Sequence, residues 1–300
     1  MGINADEAKA ILALKRDGAV GGEILCLGRP ELFVAPSAMR ALNAGFNLGL
    51  AAADVAALSK ARFAEGFLAR CGFTQVRSLD ASPYEGAQVI HDLNTPLPPE
   101  LLGITDFVYD GGTCEHVFDI AQTLRNVVGL LRVGGTALVS SPANGQCGHG
   151  FYQTSPELFH RFFEANGFDN VAVYVVGLLG PSKWFRATDP AQLRKRVQFM
   201  TSEPVQIIAM ARKAKALPAA VNPQQSDYAQ TQWGTDAAGA AVDPHADWRT
   251  PKARAKAFVR DRMAYPAAVA LRHMTGLGMP MLWKKAQFLP VDPMKERLAG

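Results

Sequence analysis

Cysteine is scarce in this 300-residue chain: Cys26, Cys71, Cys114 and Cys147 are the four, and no two form a C-x-x-C pair. That spacing argues against a zinc knuckle or a redox dithiol, and it fits four reduced thiols used as small apolar packers in a cytoplasmic protein. No stretch of about 20 uncharged apolar residues occurs, so no membrane-spanning helix is expected. The opening segment has acids ahead of its apolar positions and no small-residue cleavage site, so no signal peptide is expected. Asp6 stands where a myristoylation signal carries Ser or Thr. There is no H-E-x-x-H and no G-x-S-x-G, which removes the commonest zinc hydrolase and serine hydrolase signatures. Internal repeats and low-complexity tracts are also missing.

What remains is an ordinary globular composition, 48% apolar and 19% charged, with a net charge of +4. The charge is uneven. Residues 211–300 carry 14 Lys and Arg against 7 Asp and Glu, so the body is mildly acidic and the tail basic. Such a tail is a solvated helix face, or it is a contact for a membrane surface or another protein. Without interleaved aromatics a nucleic-acid substrate is not expected.

Along the chain, short apolar runs end in Gly or Asp and alternate with helical periodicity. Glu23 to Leu27 ends at Gly28, Thr74 to Leu79 at Asp80, Ala87 to Ile90 at His91-Asp92, and Asp106 to Tyr109 at Asp110-Gly111-Gly112. Thr136 to Ser140, Val171 to Val176 and Val205 to Met210 complete seven strands. Helices are expected over 4–16, 57–71 and 119–132, and from Ser155-Pro156-Glu157 to Asn166-Gly167. This alternation predicts an α/β fold: a Rossmann-like, doubly wound, mostly parallel seven-stranded sheet with a partly flexible basic C-terminal extension. The expected organisation is a catalytic-type domain over 1–214, a flexible linker over 215–250, rich in Ala, Gln, Pro and Gly, and a basic helical extension over 251–300.

In such sheets, ligands sit beyond the C-terminal strand ends. Asp80, ending the second strand, is placed to accept hydrogen bonds from both ribose hydroxyls of a nucleoside. Asp92 is placed to accept from an adenine amino group, with Leu93 covering the ring. The Asp110–Thr113 turn puts flexible backbone beside the first strand, and Glu115 and His116 follow it. A dinucleotide would need G-x-G-x-x-G after the first strand, whereas Gly28-Arg29-Pro30-Glu31 has one glycine and a proline without an N–H. A phosphate-free nucleoside cofactor needs the carboxylates more than that cradle.

The segments EILCLGRPE, VRSLDASPYEGAQVIHDLNTPLP, DFVYDGGTCEHVFDIAQTLRNVVGLLRVGGTALVSSPAN and GHGFYQTSPELFHRFFEANGF carry a resemblance. Over about residues 20–212 the chain resembles the class I S-adenosylmethionine-dependent methyltransferases. More narrowly, it is similar to a poorly characterised bacterial group with the string GHGFYQ-x-SPELF. The resemblance implies S-adenosylmethionine as cofactor. It implies contacts from Gly28 and Arg29, the ribose acid Asp80 with Ala81, the adenine-side Asp92 with Leu93, and the loop Asp110, Gly111 and Gly112. Residues 31–56 are an insertion between the first loop and Asp80.

Methyl transfer to a hydroxyl asks for alignment and a base. His149, in the loop Asn144–Gln153, and His116 are the candidate bases. Asn144, Tyr152 and Gln153 in the same loop are the candidate acceptor contacts. Asp110, Glu115, His116 and His149 carry ligand atoms, but no ligand-spacing motif joins them and no metal is expected. The favoured function is O-methylation of a small-molecule or glycan hydroxyl. The alternative is a methyltransferase-like domain that has lost catalysis and serves binding or assembly.

Overall fold

The computed structural model describes residues 2–179, 183–193, 203–229 and 287–298, with isolated positions between them. Strand β1 (Gly2–Asn4) leads into α1 (Ala5–Arg16). Asn4 starts that helix as an N-cap: its side-chain oxygen accepts from the backbone N–H of Asp6 and Glu7, and Glu7 accepts in return from the Asn4 N–H. The central sheet then forms from β2 (Glu23–Leu27), β4 (Gln75–Asp80), β5 (Val89–Ile90), β6 (Thr105–Gly111), β7 (Leu131–Pro142), β8 (Phe168–Gly177), β9 (Trp184–Ala187), β10 (Val205–Lys213) and β11 (Phe288–Val291). Their order is β11-β9-β8-β10-β7-β6-β2-β4-β5. From β7 to β5 every pairing is parallel; from β7 to β11 every pairing is antiparallel.

Among the described residues the sheet therefore has nine strands rather than the seven expected, and half its pairings are antiparallel. The two additions, β9 and β11, are four residues each. Four residues is the lower limit at which alternation marks a strand, and Pro290 further weakens the signal of β11. The strand β11 also returns from far along the chain, and its Phe288 is buried against the sheet. Part of the expected C-terminal extension is thus an edge of the domain. The Tyr174 hydroxyl donates to the Leu298 carbonyl, and Leu298 is fully buried. The start of the expected linker also lies on the domain: Val221 and Asn166 exchange hydrogen bonds, and Ser226 donates to Glu157 through its backbone N–H and its hydroxyl. Most of the basic helical extension expected over 251–300 lies outside the described residues.

Each face of the sheet carries a core. Ile24, Cys26, Phe107, Tyr109, Leu138 and Tyr174 pack on one side with α1, α2 (Pro36–Gly45), α3 (Ala52–Lys60) and α4 (Glu65–Arg70). Leu25, Leu27, Val108, Val139, Val173 and Ile207 pack on the other with α5 (Ile120–Leu130) and α6 (Pro156–Ala165). Odd and even positions of β2 divide between the two cores, as the period of a strand buried on both faces requires.

The helix expected over 57–71 is two helices. Between α3 and α4 the chain folds back onto β3 (Glu31–Phe33): Leu32 N–H donates to the Arg62 carbonyl, and Ala64 N–H to the Pro30 carbonyl. These bonds close the neck of the insertion, and β3 pairs in parallel with β1.

The C-terminus of α5 has a buried lysine as its cap. Lys213 Nζ donates to the Val128 and Leu131 carbonyls at 2.7 Å each. Lys213→Met is expected to destabilise the protein by about 2 kcal/mol, because two buried carbonyls lose their donor. A urea melt with an unchanged midpoint would contradict this account.

Candidate functional site

A cavity of about 260 Å³ lies beyond the C-terminal ends of β6 and β7, with Gly111, Gly112, Glu115, Ser141, His149 and Gln206 in its wall. A larger one of about 460 Å³ lies at the opposite end of the sheet, near Asp17, Asp106 and Arg212. The smaller cavity is the candidate site, because open α/β sheets hold ligands at their C-terminal strand ends and acidic and imidazole groups gather there.

Three carboxylates reach this region and burial raises the pKa of each. Asp110 is fully buried, and desolvation lifts its carboxyl to about 6 against a hydrogen bond from the Thr113 N–H at 2.7 Å. Its Oδ2 has no hydrogen-bond partner among the described residues. Glu115, on the turn Cys114–His116, is 1% exposed. Desolvation first, and the neighbouring Asp110 charge second, push it to about 8. Glu7 comes from the first turn of α1. It accepts from the Ser140 hydroxyl at 2.7 Å, yet desolvation still raises it to about 7. Ser141 Oγ and Gln206 Nε2 also line the cavity, buried and without a hydrogen-bond partner among the described residues. Buried polar atoms left unpaired in a wall mark a place where a ligand or water completes the bonding.

His149 lies over Glu115, with Nε2 at 3.5 Å from Oε1. Its ring meets that of His116 edge to face, centroids 5.0 Å apart. Desolvation, then the neighbouring His149, lowers the pKa of His116. Glycine makes this approach possible. Gly112 has φ +92°, and a Cβ there would sit 3.1 Å from Glu115 Oε1; at Gly150, φ +78°, it would sit 2.7 Å from the Glu115 carbonyl oxygen.

The expected cofactor residues lie at the neighbouring strand ends. Asp80 and Asp92 each form a local turn, Asp80 Oδ1 accepting from Ser82 N–H and Asp92 Oδ1 from Asn94 N–H and Nδ2. Those bonds, with the charge of His91, hold the Asp92 carboxyl below its usual range. In both residues, Oδ2 meets no protein donor among the described residues. Ala81 is exposed beside Asp80, whereas Leu93 is buried in the core under α5. Gly28 turns with φ +71°, its N–H on the Leu79 carbonyl. The Arg29 guanidinium stacks on Phe63, 3.8 Å from the ring centroid. It donates to Glu65 at 2.6 Å and to the Glu85 carbonyl at 2.8 Å. Arg29 is therefore a strut from the loop after β2 to the loop after β4.

The acceptor-loop residues are occupied within the chain. Asn144 Nδ2 donates to Thr201, Gln153 accepts from Gln146 N–H, and the Tyr152 hydroxyl donates to the Phe118 carbonyl. They shape the loop around His149. The surfaces that remain open beside it are aromatic: Phe118 is 72% exposed and Phe151 66%, with ring centroids 5.8 Å apart. Phe33, at the tip of β3, lines the cavity from the inserted segment. The residues missed from sequence were Glu7, Phe33, Ser141 and Gln206. Glu7 closes the capping box of α1, and the packing of α1 against β7 brings its carboxylate to the strand ends.

No family model matches the chain, and no curated protein matches it. Among solved structures it is similar to 1,6-didemethyltoxoflavin N1-methyltransferase of Burkholderia thailandensis, crystallised with S-adenosylhomocysteine. The identity is 15% over 70% of this chain and 78% of that one, with a TM-score of 0.36. It is similar to a SAM-dependent methyltransferase of Archaeoglobus fulgidus at 12% identity over 70% and 94%, TM-score 0.36. It is also similar to the branched-chain polyamine synthase of Thermus thermophilus at 18% identity over 74% and 61%, TM-score 0.34. These likenesses concern the arrangement of the chain and assign no activity.

Proposed function

We propose that this protein is an S-adenosylmethionine-dependent methyltransferase that methylates a hydroxyl of a small molecule, glycans included. The observation that carries the reading is the convergence at one end of the sheet of two kinds of group. One is a pair of carboxylates with uncommitted oxygens; the other is an open cavity with buried, unpaired polar atoms in its wall beside an imidazole. Asp80 Oδ2 would accept from the ribose hydroxyls and Asp92 Oδ2 from the adenine amino group, at adjacent strands where Asp80 pairs with Ile90. The bound cofactor supplies an electrophilic methyl group on a sulfonium. His149, backed by Glu115, takes the proton of the acceptor hydroxyl. The Gly111-Gly112 turn borders the cofactor, the unpaired Ser141 and Gln206 groups orient the acceptor's polar end, and Phe33, Phe118 and Phe151 cover its ring or apolar body. A cavity of 260 Å³ fits one ring-sized group.

Calorimetry with S-adenosylmethionine tests this directly. Binding is expected, and Asp80→Ala is expected to weaken it by about 1–3 kcal/mol, the worth of charge-assisted hydrogen bonds to a diol. Absence of heat with the purified wild type would sink the proposal. One observation favours the second reading, a binding protein without catalysis: Arg29 and Pro30 occupy the loop where backbone N–H groups would face the cofactor. Transfer of labelled methyl to any acceptor pool would eliminate that reading.

A further inference from the structure

We propose that Glu115, His116 and His149 form a binding site for one divalent transition-metal ion, with the zinc-type preference of an imidazole-rich set. Two residues of this set are adjacent in sequence and the third is in another loop, so no spacing motif announces it. Folding brings one ligand atom of each to within 4.8 Å of the other two. Two imidazoles and a carboxylate on one side of an ion, with the other side open, is a common arrangement for zinc and related metals.

The distances favour an ion over a direct hydrogen bond. The Glu115 Oε1 to His149 Nε2 separation of 3.5 Å is at the outer limit of a hydrogen bond. Two ligands about 2.1 Å from a tetrahedral ion stand about 3.4 Å apart, so this pair already has the required spread. The carboxyl is buried with no Lys or Arg against it among the described residues, and its other oxygen lies 3.6 Å from the Cys114 thiol. A bound cation would favour the charged form of this buried carboxyl, which faces two imidazoles. The ligands are also held in place. Phe151 N–H donates to the Glu115 carbonyl at 2.7 Å, His149 N–H to the Gln146 carbonyl and His116 N–H to the Thr113 carbonyl. The imidazoles are solvent-facing, His149 with 55% of its side chain exposed, which leaves an entry path and open coordination positions.

A second cluster shows what a site already filled by a cation looks like. His160, Glu164 and Asp189 come equally close, but the Arg161 guanidinium lies between the two carboxylates and pairs with both. Glu115 has no such arginine among the described residues.

For the proposed methyl transfer, and resting on that reading, the ion would hold the acceptor oxygen and favour its deprotonated form by charge, with His149 then a ligand and the proton leaving to solvent; in the metal-free protein the imidazole takes that proton. Metal binding itself does not depend on the cofactor, so the two proposals fail separately. The full chain, stripped with chelator and dialysed, is titrated with Zn²⁺ against a chromophoric competitor, and with Co²⁺ while its visible absorption is followed. One equivalent of either ion is expected, with a Co²⁺ spectrum of four- or five-coordinate intensity. His116→Ala, His149→Ala and Glu115→Gln are each expected to weaken binding at least tenfold, while His91→Ala, away from the cluster, leaves it within twofold. Melting curves of the two histidine variants separate misfolding from lost ligation, since both side chains face solvent. No stoichiometric binding by the wild type, or binding unchanged in the His116→Ala, His149→Ala double variant, would overturn the site.

Discussion

Glu7→Gln is expected to stabilise the protein by about 3 kcal/mol at pH 8 and to leave it unchanged at pH 4. The cause is a carboxyl whose pKa rises from 4.5 in the unfolded chain to about 7 in the fold, chiefly because burial penalises its charged form. Below pH 4.5 both states hold the proton and Glu7 is neutral to stability. Between 4.5 and 7 the unfolded chain releases the proton first, so stability falls as pH rises; above 7 the whole penalty applies. A difference of about 2.5 pKa units corresponds to about 3 kcal/mol. The opposing helix-terminus attraction for an anion is about 0.3–1 kcal/mol and does not reverse the sign. Glutamine keeps the local geometry: its carbonyl can accept from Asn4 N–H, as Glu7 Oε2 does, and its amide can donate to Ser140 Oγ. Asp110 and Glu115 shift in the same direction, so the variant keeps a shallower slope of the same sign. Denaturant melts at pH 4, 6 and 8 check this. A wild-type protein whose stability is flat or rising over that range would refute it.

How much of this was visible in the sequence follows from what kind of physics placed each residue. Strands β2, β6, β7, β8 and β10 show as apolar runs because both faces of each are largely buried, and burial leaves its mark residue by residue, whereas the partly exposed β4 shows by alternation. The acids at or just past strand ends, Asp80, Asp92 and Asp110, are visible as the points where an apolar run in the sequence stops. The pairing of Glu115 with His149 was not visible. It depends on the 146–151 loop folding back through the Phe151–Glu115 backbone bond, and on two glycines that leave room for it. Arg29 also has a place its neighbours in sequence could not give: its partners Phe63, Glu65 and Glu85 come from two other segments. Local composition reports burial and turns. Contacts between loops distant in the chain set the site, and those belong to the folded backbone.

His149→Ala is expected to lower kcat by 10² to 10⁴, about 3–5 kcal/mol of activation energy, while the affinity for S-adenosylmethionine stays within twofold. The asymmetry follows from where the side chain lies. His149 is in the wall of the cavity beyond β6 and β7, on a loop after the fifth parallel strand, whereas Asp80 and Asp92 end β4 and β5 on the far side of β2. Removing the imidazole takes away the group that receives the acceptor's proton and leaves the two carboxylates and their turns intact. Tyr152 and Gln153 hold the loop through Phe118 and Gln146, so the backbone does not depend on the His149 ring. Asp80→Ala should show the opposite pattern, weakened cofactor affinity with the chemical step retained once cofactor saturates. Measuring labelled methyl transfer to hydroxyl acceptors at saturating cofactor, with calorimetric affinities for both variants, separates the two roles. If His149→Ala lowers kcat less than threefold, the proton goes elsewhere; if it weakens the cofactor as much as Asp80→Ala does, the cavity beside Glu115 belongs to the cofactor and the acceptor must bind at another face.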